Sequence, residues 1–132
     1  MKTNLDKFFK TDETLEQKGV WFEIADGVRF LVRPMKATNP QIKAAVATYY
    51  KPHAQQVEKG TIDPKKVEEI QIKVFVKACL VDWEGIEIDG QVTPYSPDIA
   101  IEFFKNLPEL FWTLFNNCND YKNYQAEVVG NS

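Results

Sequence analysis

A chain of 132 residues with 44% hydrophobic residues, 27% charged residues and a formal net charge of −3 has the composition of one soluble globular domain. At this size about two-thirds of the unfolded surface can be buried, enough for a core without disulfide or metal staples. Sixteen basic against nineteen acidic residues, no basic run longer than two, no apolar run near the roughly 20 residues that span a bilayer and no apolar signal core at the N-terminus argue against nucleic-acid and membrane partners and favour the cytoplasm.

Residues 1–18 mix Lys2, Lys7, Lys10 and Lys18 with Asp6, Asp12, Glu13 and Glu16 around Leu5, Phe8 and Phe9, and read as a partly ordered arm. Val20 to Val32 is the clearest hairpin, two apolar runs flanking Asp26-Gly27. Trp21, Phe22, Phe30 and Leu31 give both of its faces apolar content. Because an isolated hairpin is marginal in water, it needs cover from helices, from a second β element or from another copy of the chain. Asn39-Pro40 and Asp63-Pro64 each set a capping side chain before a proline that has no N–H to lose, and so predict helix starts. Pro52 is expected to bend or end the first of these helices. The second is apolar nearly all round and its pattern runs on to Val81, which makes it the central helix. Lys65 and Glu69 are spaced as an i,i+4 pair on its first turns.

Asp89-Gly90 is a second hairpin signal, in which both turn positions want positive φ. Ser96-Pro97-Asp98 then predicts a helix with Ser96 as its cap, and Leu107-Pro108 predicts a break into another. Ile99, Ala100, Phe103, Phe104 and Leu107 form one apolar stripe; Leu110, Phe111, Leu114, Phe115 and Cys118 repeat it eleven positions on. At about 100° per residue each stripe spans roughly 140°, the width of a core-facing helix side, and Ile101 and Trp112 share the phase about 60° beyond it. The expected fold is mainly α (α+β): an N-terminal β-hairpin, a small second β element and about four helices. Residues 19–125 make one domain, followed by a frayed tail over 126–132.

Little here points to chemistry. His53 is the only histidine and has no neighbour at metal-ligand spacing; a phosphate loop, His-Glu-x-x-His, Cys-x-x-Cys and Gly-x-Ser-x-Gly are all missing. Asp82 and Glu84 would share one side of a strand, but no companion nucleophile is visible, and Asp82 reads better as the end of the central helix with Trp83 in a core pocket. Cys79 and Cys118 lie in apolar patterns as small hydrophobes, with a single disulfide between them left open. No enzyme, cofactor or metal site is expected.

The ordered set Val81-Asp82-Trp83-Glu84-Gly85, Gly90, Pro94-Tyr95-Ser96-Pro97 and Leu107-Pro108-Glu109-Leu110 resembles the C-terminal part of tailed-bacteriophage tail assembly chaperones. The resemblance covers about the last third of the chain. It implies a non-enzymatic protein of the host cytoplasm, absent from the finished virion, that binds the tape measure protein, keeps it soluble and helps tail tube protein polymerise around it. Homo-oligomerisation is left open.

Helical phase alone offers Ile101, Phe104 and Trp112 as partner-binding residues of an apolar groove, on the expectation that the C-terminal aromatic inventory exceeds what the domain can hide. On that reading, Trp112→Ala leaves thermal stability nearly intact and weakens client capture. The alternatives are a structural virion component, such as a tail-completion or head–tail connector protein, and a small nucleic-acid-binding regulator.

Overall fold

The computed structural model describes residues 1–126. Beyond Ala126, the tail expected over 126–132 lies outside the described residues.

Two short helices occupy the arm, α1 (Asp6–Phe9) and α2 (Glu13–Lys18). The hairpin follows as β1 (Val20–Ala25) and β2 (Val28–Val32). A long helical passage comes next, from α3 (Pro40–Ala45) through a π turn (Val46–Tyr50) and a 3-10 turn (Lys51–His53) into α4 (Ala54–Glu58). Pro52 therefore does not end the passage. Its missing N–H and its ring are accommodated where the widened turn meets the tight one, so the segment continues with a local change of pitch.

The central helix α5 (Pro64–Ala78) buries Ile70, Ile72, Val74, Phe75, Val76 and Ala78, as its all-round apolar pattern requires. Asn39 and Asp63 cap α3 and α5 by accepting from the N–H groups of Gln41 and Lys65. On α5, Glu69 pairs with Lys73 at 3.0 Å and with Lys66 at 3.7 Å, in place of the expected Lys65. A glutamate N-terminal to its lysine is the better i,i+4 orientation, and Glu69–Lys73 has it.

The expected helix end is corrected. The helix stops at Ala78, and Leu80–Glu84 forms β3, which pairs antiparallel with β2 to complete a sheet of order β1-β2-β3. Val81 continues the apolar phase of α5, and only pairing with the distant strand β2 turns the segment into sheet. Asp82 accepts the N–H of Trp83 as a strand residue, and Trp83 is a core residue as expected.

The second β element is β4 (Glu87–Ile88) and β5 (Gln91–Val92), joined through Asp89 and Gly90 at φ 52° and 75°. Two terminal helices follow, α6 (Pro97–Asn106) and α7 (Pro108–Asn119), broken at Leu107-Pro108. Ser96 holds the N-cap position of α6, but its hydroxyl makes no capping hydrogen bond. The architecture is thus the expected α+β one, with a hairpin-led sheet covered on one face by helices.

Alternation along the strands decides which sheet face is covered. Phe30, Val32 and Trp83 point inward, and Phe30 lies 5.9 Å from Phe104 and 6.2 Å from Trp83 between ring centres. Phe75 of α5 meets Phe104 and Phe111 edge to face at 6.0 and 5.5 Å. Tyr124, in a final 3-10 turn (Tyr121–Tyr124), closes the other end. Its ring is fully buried against Phe22, its hydroxyl donates to the Val32 carbonyl at 2.9 Å, and burial pushes its ionisation above the ordinary tyrosine value.

Candidate functional site

The residues offered by helical phase separate on folding. Phe104 is 0% exposed, at the centre of the aromatic cluster that joins sheet, α5 and α7, so its place in a surface groove is withdrawn. Ile101 and Trp112 are half-buried and pack against the core from its margin. Phe111 links Trp112 to Phe104, at 4.8 and 6.3 Å respectively.

The expected overflow of C-terminal rings is also corrected. Phe111 and Leu114 are sealed, and Phe103, Leu110 and Phe115 are half-buried on the core. In α6 the buried centre is Ala100 and Phe104, with Phe103 and Ile101 on either flank, while Ile99 and Leu107 are 40% and 47% exposed. At about 100° per residue the real stripe is rotated by roughly 50° from the expected one, toward Ile101, because α6 must face α5 and the sheet together.

Trp112 is held by a different device. Its indole N–H donates to the Glu68 carboxylate of α5 at 2.9 Å, and its ring packs on Phe111 and Phe115 at 4.8 and 5.4 Å. Trp112→Ala is therefore expected to cost about 2–3 kcal/mol through lost packing and an orphaned carboxylate partner, contrary to the near-neutral effect that phase implied. Chemical denaturation read by far-UV circular dichroism checks this; an unchanged midpoint would mean that neither contact holds in solution.

The exposed apolar surface lies elsewhere. In the arm, Leu5, Phe8 and Phe9 are more than half exposed, and Phe9 stacks on Tyr121 with ring centres 6.1 Å apart. The Gln125 side chain donates to the Phe8 carbonyl at 2.9 Å and ties α1 to the end of the domain.

A second feature outside the core is the outer face of the sheet. Strand register lays it out as two cross-strand rows, Trp21–Leu31–Asp82 and Glu23–Arg29–Glu84. Trp21 and Leu31 are half-buried by their own neighbours and stand apart from the residues packed on the core. The Arg29 guanidinium sits 4.1 Å from the centre of the Trp21 ring and its Nε donates to Glu84 at 2.7 Å. That hydrogen bond holds the Glu84 carboxyl below its ordinary value. Glu23, Asp82 and Glu84 are exposed, so three carboxylates face one guanidinium around the apolar pair. Helical phase could not find this site. The signal in the sequence was the hairpin's apolar content on both faces, one more face than a single core consumes.

Among the described residues no group of three or more His, Cys, Asp or Glu is placed to hold a metal ion, and no helix is long and apolar enough to cross a membrane. His53 lies 3.4 Å from Gln56. Cys79 and Cys118 are free buried thiols near Met35, which lies 3.8 Å from the Cys79 sulfur and donates its N–H to the Cys118 carbonyl. The contact with Cys118 and burial push the Cys79 thiol well above its ordinary value, and the side chain is packed in the core.

Searches of curated proteins and of solved structures found no match. Residues 37–131 match a family model described as YdaY prophage protein, a stretch that holds α3 to α7 and β3 to β5 and begins after the hairpin. That match spans well over half of the chain, which therefore belongs to the YdaY prophage protein family and is a phage-derived protein.

Proposed function

We propose that this chain is a non-enzymatic phage tail assembly chaperone that acts in the host cytoplasm. In this reading it holds the tape measure protein soluble, hands it to tail tube protein during polymerisation and is absent from the mature virion. The observation that carries the reading is the open sheet face, where Trp21 and Arg29 stand together outside the core. Tryptophan and arginine are the residue types that most often dominate protein–protein binding energy. Phage membership supplies the biological setting, and the ordered C-terminal motif supplies the resemblance to tail chaperones. Ile101 and Trp112 remain as marginal contacts in this proposal, without Phe104.

Weak contacts suit the task. A client helix held by a few residues per copy is retained by avidity along its length and is released as tube subunits arrive. The test is co-expression with the tape measure protein of the same phage. The large protein is expected in the soluble fraction only when this chain is present, and purified virions are expected to lack the chain. Its presence in virions at a fixed copy number would make it a structural component and overturn the reading.

A further inference from the structure

The inner face of the sheet is covered by the helical core, while the outer face carries the Trp21–Leu31 pair and Arg29, with carboxylates at three of the four corners of its two rows. A second copy of this face is a poor occupant, because the two rows of each copy would together bring six carboxylates against two guanidiniums around a small apolar patch. A partner that buries the patch and meets those carboxylates must carry positive charge beside an apolar strip. We propose that the outer face of the sheet docks a basic amphipathic helix, its apolar side on the Trp21–Leu31 pair and its lysines or arginines on Glu23, Asp82 and Glu84. The proposal rests on the chaperone reading and adds to it the chemistry of the client segment.

The geometry suits a helix. Neighbouring strands stand about 4.8 Å apart, so three strands present a face about as wide as the roughly 10 Å diameter of one helix. Trp21 offers a flat ring already oriented by Arg29, and Arg29 is itself directed by Glu84, so little side-chain ordering is needed on docking. Glu23 and Asp82, the two rim carboxylates that form no salt bridge with Arg29, lie at opposite corners of the face, on β1 and β3.

The probe is a fluorescein-labelled helix-forming peptide of Leu, Ala and Lys with its leucines on one side, compared with a twin carrying Glu in place of every Lys. Anisotropy titration into the full chain at low salt is expected to show the Lys peptide binding about 10-fold or more tighter than its twin, with the difference shrinking as salt rises. Trp21→Ser should weaken the Lys peptide by about 10-fold or more. The double variant Glu23→Lys with Asp82→Asn should invert the preference. It touches no core side chain, and the asparagine amide oxygen keeps an acceptor for the Trp83 N–H.

Equal affinity for both peptides, an unchanged affinity in Trp21→Ser, or a preference that the double variant fails to move would each overturn the proposal. So would a dimer by light scattering that Trp21→Ser dissolves, since the occupant would then be a second copy. Co-expression separates the two levels. A tape measure protein kept soluble by the Trp21→Ser variant sinks this docking site alone, whereas a wild-type chain that binds the peptide but leaves the tape measure insoluble sinks the chaperone reading.

Discussion

Phe104→Ala is expected to lower the melting temperature by roughly 10–20 °C. The ring is fully buried and is shared by Phe30 of the sheet, Phe75 of α5, Phe103 of its own helix and Phe111 of α7. Truncating a buried phenylalanine costs about 3–5 kcal/mol, part as lost transfer energy and part as the cavity left behind. That is a large share of the roughly 5–15 kcal/mol by which a domain of this size is stable. At this length each kcal/mol shifts the midpoint by about 3–5 °C. Thermal melts followed by circular dichroism give the answer. A shift under about 3 °C would show that the ring is not in the core, and would return Phe104 to the candidate surface from which the packing removes it.

Gly85→Ala should be nearly as damaging, for a backbone reason. Gly85 has φ +78°, and an added Cβ would stand 2.0 Å from the carbonyl oxygen of Gly27 and 2.9 Å from its carbon. Both atoms belong to the turn of the β1–β2 hairpin, and backbone cannot swing aside as a flexible side chain can. Positive φ alone costs a non-glycine residue about 1–2 kcal/mol. Displacing the hairpin turn should raise the total above about 3 kcal/mol.

Gly90→Ala isolates the contribution of positive φ. It also has positive φ, at +75°, but meets nothing within 4 Å, so it should cost only about 1 kcal/mol. Equal melting temperatures for the two variants would rule out the contact between Gly85 and the hairpin. The contact matters beyond stability, because it sets how closely the end of β3 approaches the hairpin turn. The row Glu23–Arg29–Glu84 lies next to that approach, so Gly85→Ala should also weaken peptide binding to the outer face.

How much of this was legible in the chain varies by element. Asp26-Gly27, Asp89-Gly90, Asn39-Pro40, Asp63-Pro64 and Ser96-Pro97 mark turns and helix starts through local sterics, and each element begins where those residues say. The central place of α5 was equally local, since past its first two turns little of the helix is polar. The proposed binding surface was less legible. The two-sided hairpin announced a surplus face, but nothing in it said which face helices would cover.

Local chemistry in the sequence thus determined where most elements start and that the fold is α+β, because turns, caps and periodicity act within a few residues. Tertiary structure decided three things: that Leu80–Glu84 is a strand, that Phe104 is core, and that Trp21 and Leu31 lie outside it. Each depends on contacts between residues far apart in the chain. A stripe about 140° wide limits which residues can be buried, yet its buried centre is set by the neighbours it meets, and those are chosen only when β2 pairs with β3 and α6 closes on α5.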